Sequence, residues 1–215
     1  MKRISPAGIW LACVLAGLAG FVDAIGFLQL GGIFVSFMSG NSTRLGIELA
    51  LGAWGSAARL GMVVGLFFAG ACLGGLIGAG GQAERRPLVL GAVAFLLAAA
   101  ALLERWGPWI SGGALVLAMG LENAVFQRRD GTGIGLTYMT GAVVKAGQEV
   151  ANAILGGDRE AWIPHVGLWA SLVAGAALGA WSFDTLGLPA LWAPAFVAAL
   201  LAPATWLAYR RGFVP

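Results

Sequence analysis

Met38-Ser39-Gly40-Asn41-Ser42-Thr43-Arg44-Leu45-Gly46-Ile47-Glu48-Leu49-Ala50 aligns without a gap on Met139-Thr140-Gly141-Ala142-Val143-Val144-Lys145-Ala146-Gly147-Gln148-Glu149-Val150-Ala151. Five positions are identical, and Ser/Thr, Arg/Lys and Leu/Val replace one another elsewhere. Upstream, Gly20-Phe21-Val22-Asp23-Ala24 pairs with Gly120-Leu121-Glu122-Asn123-Ala124; downstream, Gly70-Ala71-Cys72-Leu73-Gly74 pairs with Gly175-Ala176-Ala177-Leu178-Gly179. Self-similarity at a fixed period marks an internal duplication. The chain therefore reads as one membrane domain of two repeats, 1–106 and 107–215, meeting near Glu104–Ser111.

Composition sets the solvent of this duplication. The 215 residues are 59% hydrophobic and 11% charged, with mean hydropathy +0.85. Soluble domains run near a quarter charged, so a soluble fold, a disordered chain, a coiled coil and a disulfide scaffold are all excluded. Glycine fills 35 positions, as expected where bilayer helices pack closely. The net charge of +3 comes from Lys and Arg scattered in ones and twos. That pattern signals topology rather than nucleic acid. Cys13 and Cys72 sit in apolar stretches and read as buried small hydrophobes. Lys2-Arg3 before an apolar run resembles a secretory signal, but Ile4–Val22 is 19 residues without charge. That is long enough for a retained first span.

Eight uncharged runs organise the chain: Ile4–Val22, Ala24–Thr43, Leu60–Ala83, Pro87–Leu103, Trp106–Leu121, Gly131–Val144, Ala161–Phe183 and Thr185–Tyr209. The stretches around 36–54 and 137–155 carry Arg44 with Glu48 and Lys145 with Glu149. Charges at that depth require burial in protein or a re-entrant path. Three spans plus one re-entrant or broken helix per half put Lys2, Arg3, Arg85, Arg86, Arg128, Arg129, Arg159, Arg210 and Arg211 in the cytoplasm. Only Arg59 and Arg105 then fall outside. Eight full crossings worsen the split to seven against four, so the positive-inside rule favours six spans. An odd number of spans per half makes the repeats inverted. The expectation is an all-α multi-pass membrane protein with both termini cytoplasmic.

The candidate site lies where each repeat loses helical pattern. Gly31–Phe37 and Gly131–Leu136 read as extended, and each leads into a Ser/Thr-Gly pair. Ser39, Asn41, Ser42, Thr43 and Thr140 are residue types that cap helix N-termini. Two such N-termini converging from opposite faces would favour an anion or a polar solute. Ser39, Gly40, Asn41, Arg44, Thr140, Gly141 and Lys145 are the candidate substrate-binding residues. Arg44 with Glu48, and Lys145 with Glu149, are spaced as intrahelical pairs. They serve either mutual neutralisation or substrate attraction with proton exchange. Asp23 and Glu122 are intramembrane carboxylates and so candidates for proton coupling, together with Glu48 and Glu149. The competing reading of Asp23 is a brace for the hairpin, to Ser39 or Asn41. His165, beside Pro164, reads as interfacial. The tryptophans near span ends, Trp10 and Trp181 among them, read as interfacial anchors. Gly70/Gly74/Gly78 and Ser171/Gly175/Gly179 suit close packing within the protomer or across a homodimer.

These residues also carry a resemblance. Gly20–Ala24, Gly31–Ser36 and Met38–Asn41, with Ala118–Ala124 and Thr137–Gly141, are similar over essentially the whole chain to the YoaK-like family of bacterial membrane proteins. That resemblance implies an inner-membrane location and a domain of unknown function. Arg44 departs from its pattern, in which this position is usually apolar.

Three function classes follow. The first is a small transporter or channel for a small anion or polar solute, proton-coupled through the carboxylates. The alternative is a non-transporting scaffold or assembly subunit, for which the glycine faces would suffice. An enzyme is not expected: one His, two separated Cys and no phosphate loop supply no catalytic cluster. No cofactor or metal is expected, and the partners are lipid, the solute and a second copy.

Overall fold

The computed structural model describes residues 6–78, 82–126 and 138–210. Among these, regular structure is helical throughout. Eight α-helices follow in order: α1 (Pro6–Gln29), α2 (Met38–Ala50), α3 (Trp54–Ile77), α4 (Gln82–Leu103), α5 (Pro108–Glu122), α6 (Met139–Ile154), α7 (Ile163–Leu186) and α8 (Trp192–Arg210). Breaks fall where the chain offers glycine and proline. Gly107 (φ 121°) precedes Pro108 at the start of α5, and Gly187 (φ 68°) ends α7 two residues before Pro189. Glycine supplies the left-handed turn and proline a pre-set first helical residue.

Six helical stretches are long and apolar enough to cross a membrane: Pro6–Gln29, Trp54–Ile77, Arg85–Trp106, Pro108–Phe126, Ile163–Leu186 and Leu188–Ala208. At 1.5 Å per residue, α2 and α6 are only about 20 and 24 Å long, short of a hydrocarbon core of roughly 30 Å. The eight uncharged runs thus resolve into six candidate spans and two short helices that carry the charges.

Packing explains the glycine content. α1 lies on α7, α3 on α5, and α4 on α8 and α5. A Cβ on Gly20 would strike the Leu172 carbonyl and the Ala176 amide of α7; one on Gly120 would strike the Phe67 carbonyl and the Ala71 amide of α3. Gly175 abuts the Gly17 backbone as Gly70 abuts that of Leu117, and Gly179 meets Phe21 as Gly74 meets Leu121. The contacts come in pairs whose members match the sequence alignment, each first span lying on the second span of the other half. These glycine faces are thus filled within the protomer. Gly78 instead faces the Arg85 guanidinium.

Leu15, Ile25, Leu90, Leu97, Leu115, Met119 and Leu191 fill the interior. Phe68, Leu76, Phe95, Leu178, Trp10 and Trp181 stand exposed on the outside, as in a protein whose surroundings are apolar. Cys13 is half-buried, whereas Cys72 is exposed. The expected burial of Cys72 fails because it lies off the α3 face that Gly70 and Gly74 press against α5.

Candidate functional site

Residues 30–37 separate α1 from α2. The extended reading gives way to an irregular path: Gly31 (φ 66°) and Gly32 (φ 90°) turn the chain sharply back. Asp23 Oδ1 then accepts the N–H of Val35 at 2.7 Å and of Ser36 at 2.8 Å. Asp23 lies six residues before the end of α1. The returning segment therefore lies alongside the helix about 9 Å from its end. Gly26 permits this, since a Cβ there would meet the Val35 side chain. Asn41, fully buried, closes the other side. Its Nδ2 donates to the Phe34 carbonyl at 2.7 Å, and its Oδ1 accepts the Phe34 N–H at 3.2 Å. Asp23 thus braces the hairpin through Val35 and Ser36, not through Ser39 or Asn41. Buried backbone must find partners, and here two side chains supply them.

The expected N-caps are not made. α2 has Phe37 in the cap position and α6 has Tyr138, neither with a side-chain cap bond. Both helices begin before Ser39, Asn41, Ser42, Thr43 and Thr140, so these residues fall inside the helix. In place of a polar cap, the Phe37 ring folds onto Gly40 and the Tyr138 ring onto Gly141, where any Cβ would press on the ring. Ser39 and Thr140 are exposed, and Thr43 Oγ1 donates to the Ser39 carbonyl at 3.1 Å.

The charged pairs do not close. The Arg44 guanidinium donates to the Gly32 carbonyl and forms no ion pair with Glu48. Lys145 is exposed, and Glu149 accepts from Asn152 Nδ2 at 3.4 Å. Mutual neutralisation within each helix is therefore not what holds these charges.

Among the described residues the two short helices share no extensive contact. α2 packs on α3 and α6 on α7. The close α1–α7 and α3–α5 pairs fill the interior and leave α2 and α6 on outer flanks. The segment Gly131–Leu136, expected to mirror 31–36, lies outside the described residues.

Glu122 is the group of different character. It is fully buried in α5, and among the described residues neither carboxylate oxygen has a hydrogen-bond partner. Its aligned counterpart in α1, Val22, is also fully buried. Asn123, aligned with Asp23, donates to the Met119 carbonyl at 2.9 Å. His165, expected at the interface, is buried in the first turn of α7 within electrostatic reach of Lys145 and Glu149. Packing of α6 over α7 covers it. Ser111, which the sequence did not single out, is fully buried with its hydroxyl unpaired among the described residues. Only burial marks it, and no residue pattern could. Among the described residues, no three His, Cys, Asp or Glu side chains gather to hold a metal ion.

The family model of a protein of unknown function, DUF1275, matches residues 11–204. The chain belongs to this family. A UPF0700 transmembrane protein of Rhizobium meliloti (strain 1021) is 36% identical over 210 residues, covering 98% of this chain and 91% of that protein. No solved structure matches. Membership in this uncharacterised membrane family is what the sequence motifs implied. With six apolar helices, it makes the chain a multi-pass membrane protein.

Proposed function

We propose that the protein is a small transporter or channel for a charged or polar solute, without enzymatic chemistry, in which Glu122 carries a coupling proton. The observation that supports this is the burial of Glu122 without a partner among the described residues, at a position where the other half carries Val22. The packing position does not require a carboxylate, because valine fills its counterpart. Intramembrane acids of this kind mark proton and substrate paths. The particular case for an anion is set aside, since α2 and α6 share no extensive packing and Arg44 is engaged by Gly32.

The reading includes two inverted repeats of three spans and one re-entrant helix, in a bacterial inner membrane with both termini cytoplasmic. The nine-to-two distribution of basic residues supports it, as do the matched glycine contacts and the return of residues 33–36 alongside α1. Topology is tested at Leu51 and Leu155, exposed in the turns after α2 and α6. In a background lacking Cys13 and Cys72, Leu51→Cys labels on intact cells with an impermeant thiol reagent and Leu155→Cys only after lysis. Equal labelling rejects inversion. Transport is tested in proteoliposomes holding a pH dye and challenged with a panel of charged and polar solutes. Solute-driven pH change in the wild type and none in Glu122→Val is expected. The same response in both removes Glu122 from the mechanism.

A further inference from the structure

A second feature lies at Asp23, half-buried on α1 beside the returning segment. Both backbone bonds that the carboxylate accepts fall on Oδ1. Among the described residues no Lys, Arg or His forms an ion pair with it. Asp23 lines an open groove of about 370 Å³ between α1, α7 and the returning segment, near the lower end of the range for ligand pockets. The remaining wall is apolar and aromatic: Phe27, Phe34, Leu172, Ala176 and Ala180. The Phe27 and Phe34 rings lie 4.6 Å apart, tilted at 39°.

The chemistry of these parts is specific. The two N–H groups and the Ser36 side chain favour the charged carboxylate, while burial penalises that charge unless a cation meets it. Aromatic faces beside it attract a cation a second time, through their quadrupoles. An anion would be repelled, and a neutral lipid chain would leave the carboxylate unmatched. We infer that this groove binds a hydrophobic organic cation, its charged centre at Asp23 and its apolar substituents against Phe27, Phe34 and α7.

This site is separate from Glu122 and does not depend on that residue carrying a proton. The test is equilibrium binding of radiolabelled tetraphenylphosphonium to the purified full-length protein in nanodiscs. Tetraphenylborate, of the same shape and opposite charge, is the competitor. Asp23→Asn keeps an oxygen that can accept both N–H bonds and removes only the charge, so binding falls by roughly ten-fold or more with the melting temperature held. Ala180→Trp fills the groove without touching the carboxylate and gives a similar loss, which keeps the test valid if the first variant unfolds. Tetraphenylborate does not compete. Asp23→Asn or Ala180→Trp binding within two-fold of the wild type overturns the inference, as does effective competition by tetraphenylborate. Binding with no Glu122-dependent pH change would instead remove the coupling proposal and leave this site standing.

Discussion

Val22-Asp23 in α1 and Glu122-Asn123 in α5 occupy the same two positions of the duplicated sequence, with the carboxylate moved by one residue. On a helix, one residue is a rotation of about 100°. That rotation separates two kinds of acid. Asp23 turns toward the returning segment and accepts two backbone N–H groups. Glu122 turns into the packed interior, where among the described residues it accepts none. An intramembrane carboxylate is thus not one kind of signal: the helix face it occupies decides whether it holds backbone or, among the described residues, meets no partner.

The sharpest way to break this comparison is Asp23→Ala. It leaves the Val35 and Ser36 N–H groups without their acceptor, each unsatisfied donor costing about 1–3 kcal/mol. A loss of roughly 3–5 kcal/mol is expected, read as a lower melting temperature and poorer yield in detergent. Asp23→Asn should lose far less. Equal damage from both would mean that the charge, not the accepting oxygen, holds the hairpin.

Next in size are the matched glycines. Gly70→Ala and Gly175→Ala each place a methyl against a facing backbone, and overpacking of this kind costs about 1–3 kcal/mol. The two should fall by similar amounts. Gly46→Ala and Gly147→Ala, where nothing lies within 4 Å, should be neutral or stabilising by up to about 1 kcal/mol. Thermal unfolding of the four variants settles the contrast. A large difference between Gly70→Ala and Gly175→Ala would show that the halves do not share their packing energetics.

These glycines also show how far a sequence can be read. The six candidate spans were legible because hydrophobic length is a local property of the string. The brace was not. Asp23 was visible as an intramembrane acid, but its partners are backbone amides of Val35 and Ser36, which carry no residue signature. Helix starts were misplaced for a related reason. Ser39 and Thr140 have the residue type of a cap, yet the preceding aromatic rings stack on Gly40 and Gly141 and begin each helix sooner. Convergence of those starts was expected from symmetry alone, which fixes equivalence and leaves distance open.

Glu122→Val makes the second half copy the first, and its effect on stability should be modest and favourable. Removing a buried acid that has no described partner relieves desolvation, so a gain of about 1 kcal/mol is expected with loss of solute-driven pH change. A loss of stability would show that Glu122 is held by bonds its surroundings supply. It would then join Asp23 as a structural acid.

The smallest effect is expected on α2 itself. Arg44 and Glu48 have the spacing of a helical ion pair, but the guanidinium is committed to the Gly32 carbonyl. Helical pairs that do form contribute about 0.3–0.5 kcal/mol; here the coupling should be near zero. A double-mutant cycle with Arg44→Ala and Glu48→Gln measures it. Arg44→Ala alone should weaken the turn at Gly31-Gly32, and Glu48→Gln should leave that loss unchanged. A coupling above about 0.5 kcal/mol would show that Arg44 divides its time between the two acceptors. The returning segment would then be tied to the charge of α2 as well as to Asp23, and the contrast between a fixed brace and a free acid would narrow.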